Sequence, residues 1–207
     1  MTWNDQHRRG DVLRAVETAA DQRRDGVLPT GVPGVAETFA DEADLVGALL
    51  LRWHARLSAR LERSLAADPM DLTQAVASAW AATARDRAGV RLVLDRAVAG
   101  PDSAAARVAQ RAQELERGRL AVAAGLASAH GPRAVEAGRR VEELAREGLD
   151  LHALPVPAGP GTAAPETTEQ TTPTPAPASD PPRQRHGAAP VHDGPSFVDR
   201  IRAVLAA

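Results

Sequence analysis

The chain has 207 residues, 25 basic and 27 acidic side chains, a net charge of −2, and neither Cys nor Tyr. Every basic side chain is Arg, which excludes a lysine Schiff base and a P-loop lysine. The missing Cys excludes disulfides, thiol nucleophiles and cysteine zinc sites.

All-Arg usage fits the codon bias of a GC-rich genome, so arginine abundance by itself carries little meaning. The first 154 residues hold 21 Arg against 22 acids, a balance that argues against a dedicated nucleic-acid binder. No run of about 18 apolar residues occurs, so no membrane span is predicted. The segment Met1–Arg9 has no apolar stretch after its charges, so no secretory signal is predicted and a cytoplasmic protein is expected. Phe39, Phe197 and three Trp are the only aromatics. The core must therefore be Ala, Leu and Val, with Trp3, Trp53 and Trp80 as its largest anchors.

In chain order, Thr2 and Asp5 form a capping-box-like pair for a first helix to about Arg24, striped by Val12, Leu13, Val16 and Ala20 and ended by Gly26. Pro29, Gly31, Pro33 and Gly34 mark a loop over 27–34, followed by a turn of helix at Val35–Phe39. Asp41 caps the second helix. Leu45, Leu49, Trp53, Leu57, Leu61 and Leu65 recur every fourth residue along it and give one wide apolar face. Pro69 interrupts the chain. A third helix runs from Asp71 through Leu72, Val76, Trp80, Thr83, Val90, Leu94 and Ala97, with Gly89 able to kink or split it, and Gly100-Pro101 stops it. Asp102 or Ser103 caps a fourth helix through Val108, Leu115, Val122 and Leu126, which Gly131-Pro132 stops. A fifth passes through Val135, Val141, Leu144, Leu149 and Leu151, with Arg139, Arg140, Glu142, Glu143 and Arg146 as its wet side. β-branched residues are few and no apolar/polar alternation persists. The expected fold is all-α, an antiparallel bundle of about five helices over residues 1–154.

Residues 155–194 contain ten Pro, and only Val156 and Val191 are large and apolar. Such a segment cannot bury enough surface to offset chain entropy and is expected to be a disordered Pro/Thr/Ala-rich linker, spanning roughly 35 Å if flexible. Residues 195–207 then read as a short amphipathic helix. Ser196 caps it, Asp199 holds the capping-box position, and Phe197, Ile201, Val204 and Leu205 share one face. An isolated helix of about twelve residues is marginal in water, so this face needs a groove. The groove belongs either to another protein or to the chain's own bundle. Short amphipathic helices behind Pro-rich linkers resemble the encapsulation peptides that load cargo into bacterial shells.

Within the body, Arg52, Arg56, Arg60 and Arg63 fall in a row beside the Trp53 face. Such a row either contacts an anionic partner (phosphate, nucleic acid or acidic lipid) or pairs with acids on a neighbouring helix. Trp53 and Trp80 either line an interhelical ligand cavity or supply core bulk, and their helices are candidates for a homodimer contact. The six histidines show no HxxxH or HExxH spacing, and Glu142 and Glu143 are adjacent and point apart. No catalytic residue, metal ligand or cofactor site is therefore expected.

The order Val12–Ala20, Gly31-Val32, Phe39 and Asp41–Trp53 resembles the first helix, Gly-Val turn, Phe and acid-capped long helix of TetR-family regulators, over about residues 12–99. The resemblance implies a DNA-binding transcriptional regulator with an interhelical ligand pocket. It departs at the helix-turn-helix, because only the Pro- and Gly-broken stretch between Ala20 and Phe39 is available for two helices. The residues themselves favour a non-enzymatic helical scaffold or regulatory protein, acting through protein contacts and a tethered C-terminal docking helix.

Overall fold

The computed structural model describes residues 3–67 and 70–154. Thr2, Pro69, the linker 155–194 and the predicted docking helix with Phe197, Ile201, Val204 and Leu205 lie outside the described residues. The described residues form seven helices and no strand: α1 (Trp3–Arg23), α2 (Val35–Thr38), α3 (Glu42–Ala67), α4 (Leu72–Asp86), α5 (Ala88–Ala99), α6 (Ala104–Ala123) and α7 (Pro132–Arg146). The architecture is all-α. Helix α6 packs most extensively on α7 and also on α3 and α5, while α3 lies against α4 and α1 against α5.

The predicted caps Asp41 and Ser103 form, and Asp71, where the third helix is expected to begin, caps as well. Asp41 Oδ1 accepts from Asp44 N at 2.8 Å, Asp71 accepts from Gln74 N, and Ser103 accepts from Ala106 N. Each satisfies one amide that the first turn leaves without a partner. The long helix predicted over 71–99 splits. Arg87 leaves helical geometry at φ −132° and ψ 48°, and α5 starts afresh beyond it. Its N-terminus is capped from another helix, because Asp21 Oδ1 of α1 accepts from Gly89 N at 3.0 Å and Val90 N at 3.2 Å. Gly89 permits this approach. A β-carbon there would lie 1.9 Å from the Ala20 carbonyl oxygen. Helix α1 ends at Arg23, before Gly26, because Arg24 turns into the left-handed region at φ 49°. The Arg24 guanidinium donates to the carbonyls of Asp21 and Leu154, contacts that hold it in a conformation costly for a non-glycine residue.

The helix pattern needs correction on α6 and α7. The stripe Val108, Leu115, Val122 and Leu126 is not the buried face of α6: Val108, Val122 and Leu126 are exposed. The buried face is Ala106, Ala109, Ala112, Glu116, Gly118 and Leu120. These small side chains let α7 approach closely. At Gly138 a β-carbon would stand 1.7 Å from the Arg117 carbonyl oxygen. Helix α6 also stops earlier than predicted. Gly125 takes φ 70°, Leu126 N donates to Ala121 O and Gly125 N to Val122 O, which is the Schellman arrangement. Pro132 then opens α7 at its first turn, where a missing N–H costs nothing. Glu142 of the predicted wet side is buried, and Leu144 of the predicted stripe is exposed.

The core runs from Leu13 and Val16 of α1 through Leu45, Leu49 and Trp53 of α3 to Val76 and Trp80 of α4, Val90 and Leu94 of α5, and Leu120 and Val141 of α6 and α7. Trp53 and Trp80 are both fully enclosed and meet edge to face, with centroids 5.9 Å apart and planes at 74°. They are core bulk. Between α1 and α3 the one helix is the four-residue α2. No helix among the described residues is long and apolar enough to cross a membrane.

Candidate functional site

Two groups of charged side chains stand out, one inside the bundle and one on its surface. The inner group centres on Glu116. Helix α3 brings Trp53 and His54, and α4 brings Trp80, to the carboxylate that α6 presents. Trp53 Nε1 donates to Oε2 at 2.7 Å and Trp80 Nε1 to Oε1 at 2.9 Å, while His54 Nε2 lies 2.9 Å from Oε2. An ionised carboxylate only accepts, so His54 Nε2 carries a proton toward it. Arg91 of α5, itself buried, places Nη1 3.7 Å from Oε1. Its guanidinium carbon sits 4.9 Å from the Trp53 ring centre.

Burial pushes the Glu116 carboxyl up. The hydrogen bond from His54, the charge of Arg91 and the bond from Trp80 outweigh it and leave the carboxyl at about 2. Glu116 is thus a fixed anion that ties four helices together.

The charge pattern continues outward from Glu116 toward part-exposed side chains. Arg91 Nη2 reaches Asp95 Oδ1 at 2.8 Å, and Asp95 receives both Nη atoms of Arg146 at 2.8 and 3.0 Å. Arg146 also contacts Glu142 at 2.9 Å and stacks 4.6 Å from the Trp80 ring centre. Glu142 accepts from Arg117 Nε at 2.8 Å. Alternating guanidinium and carboxylate groups thereby link α5, α6 and α7, and arginine suits this because its planar fork pairs with carboxylates and lies flat on aromatic faces.

The outer group is a cleft of about 620 Å³ between α3 and α4, closed by the end of α1. Six arginines line it: Arg24, Arg56, Arg60, Arg63, Arg85 and Arg87. Asp86 is the one carboxylate on its wall, with Ala59 and Thr83 beneath. Arg56 is held as a fork by buried Glu17, at 2.5 and 2.9 Å, an arrangement that raises its pKa through the bond to Glu17 against its burial. Arg60 pairs with Asp86, and Arg87 reaches Asp21 Oδ2 at 3.1 Å. Arg63 and Arg85 are exposed and take part in none of the ion pairs among the described residues.

The predicted arginine row thus divides. Arg56, Arg60 and Arg63 face the cleft, whereas Arg52 turns to Glu17, 3.3 Å from its Oε2, and does not line the cleft. Arg24, Arg85 and Arg87 join from elements that the row did not include. Trp53 and Trp80 line neither this cleft nor the shallower one of about 260 Å³ beside His130. Among the described residues no group of three or more His, Asp or Glu is placed to hold a metal ion. No family model, curated protein or solved structure matches the chain.

Proposed function

We propose that this chain is a non-enzymatic helical scaffold or regulatory protein that acts through contacts with another protein. The body is a preformed platform, and residues 195–207 are the tethered docking element. The observation that carries this reading is how the body spends its ionisable groups. Its buried acids are Glu17, Asp21, Glu116 and Glu142. Each receives fixed donors from other helices: Arg52 and Arg56 on Glu17, two amides and Arg87 on Asp21, two indoles and His54 on Glu116, and Arg117 on Glu142. Groups that in an enzyme would exchange protons with a substrate serve here as cross-links. The tail supplies the opposite feature, an apolar face of Phe197, Ile201, Val204 and Leu205 with the spacing of a helix that enters a groove.

The test compares full-length protein with a version ending at Gly194 as bait in its source lysate. A protein retained only by the full chain, and bound afterwards by a synthetic 195–207 peptide but not by its Phe197→Glu variant, supports docking. Identical captures, together with a lower melting temperature of the truncated protein, overturn it and assign the tail to its own bundle.

A further inference from the structure

We infer that the arginine cleft between α3 and α4 binds a compact, multiply charged phosphate anion of the condensed-phosphate class. The chain as a whole is slightly acidic, at −2, yet six guanidinium groups and one carboxylate line this cleft, and with Glu17 and Asp21 behind it only three carboxylates among the described residues pair with them, a local excess of positive charge that the composition does not explain. Like charges gathered this way repel one another, and an anion between them relieves that repulsion.

The six arginines divide into framework and contact groups. Glu17 holds the fork of Arg56, Asp86 holds one Nη of Arg60, and Asp21 holds one Nη of Arg87. These anchors leave the second terminal nitrogens of Arg60 and Arg87 outside those ion pairs. Arg63 on α3 and Arg85 on α4 also line the cleft, are exposed, and enter no ion pair among the described residues. The arrangement offers preset donors, held by carboxylates, together with two adjustable guanidinium groups from two different helices.

The shape and lining select the class. A volume near 620 Å³ lies within the range of small-molecule sites, roughly 300–1,000 Å³. Guanidinium forks match the paired oxygens of phosphate. No aromatic side chain lines the cleft, so a nucleobase would find nothing to stack on. The phosphate chain, rather than any attached base, is what the site recognises.

The cleft is lined by no residue of 195–207, so this inference stands or falls apart from the docking reading. The probe is sodium tripolyphosphate, titrated against the full chain by calorimetry and by thermal shift, with orthophosphate and ATP in parallel. Tripolyphosphate is expected to raise the melting temperature and bind more tightly than orthophosphate, and ATP is expected to gain nothing from its base. Arg63→Ala with Arg85→Ala should weaken tripolyphosphate at least about tenfold, since each charge-assisted bond lost corresponds to roughly that factor. The unliganded melting temperature should stay within about a degree, because neither side chain holds another. A Lys pair at the same positions should recover part of the affinity. Absence of binding, or binding indifferent to the double variant, overturns the site. Tighter Arg63- and Arg85-dependent binding of duplex DNA or of a Glu-rich peptide overturns the ligand class and gives the cleft to a macromolecule.

Discussion

Replacing Glu116 with Gln tests the interior reading most directly. The substitution keeps shape but removes charge. One amide oxygen can accept from one indole, whereas the amide nitrogen must face the other indole N–H, a donor against a donor. A buried donor left without an acceptor costs about 1–3 kcal/mol, and Arg91 keeps Asp95 at 2.8 Å but loses its second anion at 3.7 Å, part of the about 3–5 kcal/mol that removing one partner of a buried pair costs. The two overlap, so the expected destabilisation at pH 7 is about 3–5 kcal/mol.

The pH dependence supplies an independent readout. The carboxyl sits at about 2 in the folded protein against a reference of 4.5. A folded value below the unfolded one means stability that is fully present above 4.5 and lost as pH falls toward 2. Ionisation is thus worth about 3 kcal/mol at pH 7, and roughly 2 of that is gone by pH 3. Urea unfolding followed by Trp fluorescence at pH 7, 5, 4 and 3 would measure both effects, in a Trp3→Phe background so that Trp53 and Trp80 dominate the signal. The gap between native and Glu116→Gln proteins should narrow by about 2 kcal/mol between pH 5 and pH 3. A gap below about 1 kcal/mol at pH 7, or one that does not change with pH, would refute a charged Glu116 as the interior tie.

Backbone approach makes its own predictions. Gly89→Ala and Gly138→Ala should each destabilise by about 3 kcal/mol or more, because overpacking against backbone has no soft side chain to yield. Gly47→Ala, inside α3 with nothing within 4 Å of the added methyl, should stabilise by about 0.5–1 kcal/mol. Thermal melts of the three variants check the contrast. Asp21→Ala should cost about 2–4 kcal/mol, since it strips a cap and leaves two buried amides unpaired, and should speed hydrogen exchange at Gly89 and Val90 before the rest of α5. Arg56→Ala should cost about 2–3 kcal/mol by leaving buried Glu17 to Arg52 alone, while Arg63→Ala should stay within about 0.5 kcal/mol; denaturant midpoints separate the two.

How far these features could be read from the residues depends on whether a local or a distant partner decides them. Asp41, Asp71 and Ser103 cap amides three residues away, so sequence shows the whole interaction. The α3 face is legible for the same reason, since Leu and Trp at every fourth residue can bury only one way. Helix α6 is not, because its buried side is alanine and glycine. The periodic signal there follows the large residues Val108, Val122 and Leu126, while the packing follows the small ones that admit α7. Gly89 carries a hint of a break, yet the reason lies 68 residues away in Asp21. Glu116 is the instructive case. On α6 it reads as one more wet acid, but two indole N–H groups destined for the core need acceptors, and no Tyr or core Asn exists to provide them. The demand is visible on α3 and α4, and only the fold reveals which carboxylate answers it.

The arginine row follows the same logic. Spacing places Arg52, Arg56, Arg60 and Arg63 side by side, but their roles depend on Glu17, Asp86 and the approach of α4. Arg52 and Arg56 belong to the framework, Arg60 straddles it, and of the four Arg63 is the one with no ion pair among the described residues. A site built on arginine in an arginine-only protein is recognised by which guanidinium groups lack an anion, and among the described residues Arg63 of α3 and Arg85 of α4 are the pair that meets that condition at the cleft.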